Sequence, residues 1–208
     1  MSHSLRHNFE KLYALAESQG GFFTAKQATD LGYSTRMQTY HVQTGGWERE
    51  WRGIYRLRFY PKQRLDDLMI WYLWSCDRSG QPEGIYSHDT ALELHELSTW
   101  TDTRLHMSVP KGFKRRFVPK ALRLHTAELR HFEITNISRL PVTTVARTFL
   151  DLITAGTIQR HHLLEGMQEA KKRGLILSSD LKDKCWNVEE RKVLQKLFQD
   201  SEKFKAEA

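Results

Sequence analysis

Ser87, His88 and Asp89 stand side by side, and a hydroxyl, an imidazole and a carboxylate are the parts of a nucleophilic triad. Three consecutive residues at a helix start cannot line up as nucleophile, base and orienter, and no strained glycine elbow surrounds them. Ser87 is therefore expected to cap a helix. The ten histidines raise metal binding next. His88 and His95 are two helical turns apart and could share a face, and His106, His125 and His131 follow. No Cys or close carboxylate pair completes a ligand set, however, so His95 is expected to pack or to bond locally. His161 and His162 are neighbours, about 100° apart round a helix, and cannot chelate easily. Arg147 and Asp151, four apart, read as an ion pair along a helix. No glycine-rich phosphate loop is present. No catalytic residue, metal or cofactor is expected.

The chemistry that stands out instead is cationic. Lys and Arg number 32 against 25 Asp and Glu, a net charge of +7, which favours polyanionic partners because each neutralised phosphate releases counterions. Two segments carry the excess. Residues 34–64 hold Arg36, Arg49, Arg52, Arg56, Arg58, Lys62 and Arg64 against Glu48 and Glu50. Residues 104–131 hold eight basic side chains against Glu128 alone. Within the second, the run between Pro110 and Pro119 has no acidic residue and reads as an exposed basic loop anchored by Phe113 and Phe117. Its Lys111, Lys114, Arg115 and Arg116 would extend a nucleic-acid footprint or meet an acidic protein surface; the residues leave both open.

The elements that must position the first segment are legible. Apolar residues at three- and four-residue spacing (Leu5, Phe9, Leu12, Leu15, Ala16) predict a helix over 4–18, stopped by Gly20-Gly21. Thr24-x-x-Gln27 is a capping box ahead of a short helix from Ala25 to Leu31, and Ser34 caps a third helix ending at Gly45-Gly46. Trp47–Trp51 and Ile54–Leu57, separated by Arg52-Gly53, read as a hairpin. Helix, short helix, turn, helix and hairpin make a winged helix-turn-helix over residues 1–60. At 100° per residue, Met37, Tyr40 and His41 would face the core. Thr35, Arg36, Thr39 and Gln43, with Ser34 at the helix start, would face a major groove, where Arg and Gln pair with base edges and Thr meets a thymine methyl or a phosphate. Arg49 and Arg52, with Arg56 nearby, would lie along phosphates as the wing.

After residue 60 the pattern becomes α+β. Helices are expected over 64–74, 87–97, 143–152, 158–172 and 188–204, and strands over 105–109, 121–125 and 132–137. The fold class is thus α+β, a winged helix-turn-helix at 1–60 followed by a mixed α+β domain at 61–208. The longest apolar stretch, Leu68 to Trp74, falls far short of the roughly 20 residues of a membrane helix, and the N-terminus has no apolar core of a secretory signal. Two cysteines make no disulfide framework. A cytoplasmic protein with no membrane partner is expected.

Several runs resemble the AbiEi antitoxin family of type IV toxin–antitoxin systems. They are Gly21-Phe-Phe-Thr-Ala-Lys-Gln-Ala, Gly32-Tyr-Ser, Arg52-Gly-Ile-Tyr-Arg-Leu57, Ile85-Tyr-Ser-His-Asp-Thr-Ala-Leu-x-Leu-His95, His106-x-Ser-Val-Pro110 and Leu140-Pro-Val-Thr-Thr-x-x-Arg-Thr-x-x-Asp151. They span about residues 8 to 155 in the family's order and say little about 156–208. The resemblance implies an N-terminal domain that binds double-stranded operator DNA and represses its own operon. It also implies a C-terminal domain that counteracts a cognate nucleotidyltransferase-like toxin in phage defence. Some relatives add an endonuclease-like domain. Residues 156–208 lack the spaced acidic cluster of a metal nuclease, so an enzyme is not expected. The open alternatives are a nucleic-acid-processing nuclease or a regulator without a toxin partner.

Overall fold

A computed structural model describes residues 3–97, 102–182 and 185–204, with the side chains of all but 3–6 and 182. The chain forms two compact units, Met1–Gly84 with Ser138–Leu140, and Ile85–Ile137 with Pro141–Ala208.

The first unit begins with α1 (His3–Ser18), which buries Leu12 and Ala16 one turn apart. Phe9, expected in the same apolar stripe, is exposed beside Tyr13. Gly21 ends the helix with a φ of +92°, and a Cβ there would lie 2.6 Å from the Tyr60 ring, so only glycine fits. β1 (Phe22–Thr24) leads into α2 (Ala25–Asp30). The capping box closes as the spacing predicts: Gln27 N donates to Thr24 Oγ1 at 3.1 Å, and Thr24 N to Gln27 Oε1 at 2.8 Å. Ser34 Oγ accepts from Met37 N at 3.3 Å to start α3 (Thr35–Gln43). β2 (Trp47–Trp51) and β3 (Ile54–Leu57) follow at the predicted bounds and join β1 in an antiparallel sheet of order β1-β3-β2.

One face of this sheet closes over Leu12, Ala16, Phe23, Ala28, Tyr33, Trp47 and Tyr55, with Phe23 edge-on to Trp47 at 4.7 Å. The other face carries Phe22 and Arg56, paired across β1 and β3. α4 (Asp66–Trp74) packs on those two strands and sets Trp71 against Trp51 at 5.0 Å. The compact unit therefore runs on to Gly84, past the residue-60 boundary expected from completion of the wing, because the sheet's second face needs α4 to bury it.

The second unit is built on a five-stranded sheet of order β6-β5-β4-β8-β7. Its strands are β4 (Ile85–Tyr86), β5 (Leu105–Val109), β6 (Leu122–Thr126), β7 (Ile134–Ile137) and β8 (Leu140–Thr143). β4 runs antiparallel to β5 and parallel to β8, and β5 runs parallel to β6. Parallel neighbours need a crossover of about a dozen residues, and here the basic run from Pro110 to Ala121 supplies it without a helix. α5 (His88–Leu94), α6 (Val145–Ala155), α7 (Arg160–Lys172) and α8 (Val188–Lys203) complete the unit. Leu92, Phe149, Leu152, Leu163, Met167, Leu194 and Leu197 meet in one core.

Two local expectations fail. Ser87 occupies the N-cap position of α5 but makes no side-chain cap bond. The strand expected over 132–137 opens with a 3-10 turn, His131–Glu133, which turns Glu133 into the interior. On α7, a Cβ at Gly166 would stand 2.8 Å from the Leu97 carbonyl oxygen, a backbone atom that cannot swing away. Gly166→Ala should therefore cost about 1–3 kcal/mol in chemical denaturation, despite the better helix propensity of alanine; a gain in stability would show that the approach relaxes freely.

Candidate nucleic-acid interface

α3 presents Thr35, Arg36, Thr39 and Gln43 to solvent, as its periodicity predicts. Among the described residues, Arg36 makes no ion pair. Thr39 donates its hydroxyl hydrogen to the Thr35 carbonyl at 3.0 Å, which leaves its methyl and its hydroxyl lone pairs outward. Ser34 is exposed, with its oxygen already accepting the cap bond.

Tyr40 corrects the expected core face: it is 61% exposed, on the side of Arg36. The buried side is rotated toward Gln38, which is 3% exposed. Gln38 Nε2 lies 2.9 Å from Tyr33 O, 3.0 Å from Thr29 Oγ1 and 3.1 Å from Ala25 O, so the amide reaches α2 and the turn after it. A polar side chain can occupy a core when its hydrogen-bonding groups are satisfied, and helical periodicity by residue polarity misplaces such a residue. His41 stacks on Trp47 at 4.7 Å, and burial lowers its imidazole pKa.

On the hairpin, Arg49 and Arg52 are exposed, Arg49 with its guanidinium 5.8 Å from the Tyr55 ring centre. Gly53, with a φ of +74°, makes the turn beside Arg52. Arg56 is not part of a wing. It is 1% exposed, donates to Tyr60 O at 2.6 Å, lies 3.5 Å from Asp66 and covers the Phe22 ring at 5.6 Å. Residue 56 faces opposite to Tyr55 on β3, into the layer under α4, which strand alternation explains. Arg58, Lys62 and Arg64 are exposed.

In the second unit, Lys111, Lys114, Arg115 and Arg116 are exposed on the β5–β6 crossover. The Lys111 amide donates to Glu128 Oε1 at 3.0 Å, and the Arg115 guanidinium lies 5.6 Å from the Phe113 ring centre. Phe117, expected as an anchor, is 65% exposed.

The same unit holds two polar clusters. In one, the expected Arg147–Asp151 pair (2.8 Å) is joined by buried Glu133 at 2.7 Å from Arg147, with Arg130 at 2.9 Å on the other side. Burial would raise the Glu133 carboxyl, but the hydrogen bonds from Arg130 and Arg147 outweigh it and hold the group at about 2. Burial dominates at Asp151 and pushes it up to about 6 against the pull of Arg147.

The other cluster gathers His88, His106 and His125, whose ring nitrogens lie within 4.8 Å of one another. Spacing along the chain had paired His88 with His95, but His95 instead reaches the Thr143 carbonyl at 2.8 Å. Nor does Ser87 serve as a cap. Its hydroxyl stands 3.0 Å from His88 Nδ1 and accepts from Ser108 Oγ at 2.8 Å, so the neighbouring hydroxyl and imidazole do bond. Asp89 does not orient that pair; its carboxylate turns to His106 at 3.1 Å. Burial, with His125 adding to it, lowers His88 to about 3, and burial with His106 lowers His125 to about 4. Both rings are neutral at pH 7. The bond to His106 keeps Asp102 at about 2, while burial raises Asp89. Alternation could have exposed this group: His106-x-Ser108 and Arg123-x-His125 lie on paired strands, each pair on one face.

Among the described residues, no helix is long and apolar enough to cross a membrane. No curated protein matches the chain. Residues 10–58, from within α1 to just past β3, match the family described as transcriptional regulator, AbiEi antitoxin.

Proposed function

We propose, from an N-terminal module that matches the AbiEi antitoxin family of transcriptional regulators, that the chain is a repressor-antitoxin. Its first unit reads double-stranded operator DNA with Thr35, Arg36, Thr39 and Gln43 in a major groove, joined by Tyr40 at the flank, while Ser34, Arg49 and Arg52 contact phosphates. Binding there represses its own operon. The second unit counteracts a nucleotidyltransferase-like toxin in a type IV, phage-defence arrangement and needs no catalysis of its own. The observation that carries this reading is the exposed Arg, Thr and Gln face of α3 inside the matched residues. Support for the second unit comes from the family-like runs over 85–95, 106–110 and 140–151.

A gel-shift titration with the DNA upstream of the gene tests the first half. Arg36→Ala should weaken binding by about 1–3 kcal/mol and relax base preference at one position, whereas Arg52→Ala should weaken all sequences alike and reduce the salt slope by about 1. Arg36→Ala binding like the parent would refute the recognition face. For the second half, co-expression with the adjacent toxin should show growth rescue by the full chain. Lys114→Ala with Arg115→Ala then assigns the crossover: lost rescue at an unchanged salt slope gives it to the toxin, and a reduced slope gives it to DNA.

A further inference from the structure

The histidine cluster takes no part in the reading above, and hydrogen bonding alone accounts for it poorly. His106 Nδ1 faces His125 Nε2 at 3.4 Å and Asp89 Oδ2 at 3.1 Å. His106 Nδ1 thus meets two further ligand-type atoms, and one proton on it serves only one of them well. Ligand atoms set tetrahedrally about 2.0–2.1 Å from a zinc ion stand about 3.3 Å apart, close to the two separations from His106 Nδ1. The third imidazole, His88, stacks on His125 with ring centres 3.6 Å apart, and ring rotations bring its nitrogen in from within 4.8 Å.

We propose that His88, His106 and His125, with Asp89 as fourth ligand, hold one divalent transition-metal ion of the zinc class that pins α5 to the β5–β6 edge of the sheet.

Three further observations support it. His106 Nε2 lies 2.9 Å from Asp102 Oδ2, which gives the carboxylate–histidine–metal arrangement that fixes ring orientation and tautomer at metal sites. Ser87, itself held by Ser108, engages His88 Nδ1 and leaves Nε2 as the nitrogen for the ion. His88 also sits at a φ of +53°, a left-handed conformation that strains a non-glycine residue and recurs at ligand sites. His106 is 1% and His88 7% exposed, so the ion is enclosed, as in structural rather than catalytic zinc sites.

The full chain, prepared without a histidine tag and stripped with chelator, should take up one zinc per chain by elemental analysis. Cobalt(II) in its place should give the visible absorption of a four-coordinate nitrogen and oxygen site, and zinc should raise the melting temperature. His161→Ala with His162→Ala, which removes the exposed histidine pair, should leave the uptake intact. His106→Ala and His125→Gln should each abolish it; His125 is only half-buried, so the second variant keeps the test sound if the first fails to fold. Asp102→Asn should weaken zinc about 10- to 100-fold. No uptake by the stripped chain, or uptake that survives both histidine ligand variants, would overturn the proposal.

Discussion

Glu133→Gln should destabilise the second unit by about 3–5 kcal/mol in urea denaturation of the full chain. The change keeps the shape but removes the charge and turns one acceptor oxygen into a donor NH2, so the loss reports what the carboxylate does for the donors around it. Glu133 is fully buried and answers two guanidiniums, Arg147 at 2.7 Å and Arg130 at 2.9 Å, while its second oxygen accepts from the Arg130 amide at 2.6 Å. Without it, Arg147 keeps Asp151 and Arg130 keeps Glu190, but both guanidiniums lose the buried acceptor between them. The linkage has a definite sign. The folded value of Glu133, about 2, lies below the ordinary 4.5, so its contribution is complete above pH 4.5 and fades as the pH falls toward 2. Asp151, raised to about 6, works the other way: its ionised form burdens the fold, and the burden lifts as the pH falls from 6 toward 3.8. Relative to the Glu133→Gln variant, the parent should therefore lose its advantage between pH 4.5 and 2. A loss under 1 kcal/mol at pH 7 would mean that the arginines reach water or other partners.

Arg56→Ala should cost about 3 kcal/mol in the first unit and should weaken DNA binding only to the extent that the unit unfolds. This separates it from Arg52→Ala, four residues away, which should leave stability unchanged and lower affinity most at low salt. Arg56 loses nearly all contact with solvent by bonding Tyr60 O, pairing with Asp66 and covering Phe22. Its removal leaves the Asp66 carboxylate, 17% exposed, without the pair and opens space beneath α4. Equal melting temperatures for parent and Arg56→Ala would contradict this role and return the residue to the surface.

The contrast between Arg52 and Arg56 shows what was legible beforehand. Elements bounded by local chemistry were read nearly to the residue: the Thr24 capping box, the Ser34 cap, the glycine stops and the Trp47–Leu57 hairpin all act within a few positions. The α+β class and the winged N-terminal plan followed from those pieces. What escaped was set by distant partners. Arg56 and Gln38 are polar side chains whose burial depends on Asp66 and on Tyr33, Thr29 and Ala25, and no local rule distinguishes them from surface residues. β4, two residues long, is too short for any period to register, and it exists because β5 and β8 flank it. The histidines of the second unit come from a helix and two strands, so counting along the chain paired the wrong ones. The exposure of Thr35, Arg36, Thr39 and Gln43 was legible because solvent-facing polar residues need no partner to be recognised, and that of Tyr40 was not, because an aromatic there reads as core.

In the proposed reading, the buried amide of Gln38 bears on how sharply α3 would discriminate between bases. Greasy contacts between two helices tolerate small rolls and slides, since many packings bury comparable area. An amide clasping fixed oxygens on the preceding helix and its exit turn tolerates neither, because hydrogen bonds weaken steeply with misalignment. The aim of Arg36 is thereby indexed to α2 as by a detent. If α3 reads bases as proposed, the same buried amide that holds the helix on α2 also fixes the aim of its exposed face.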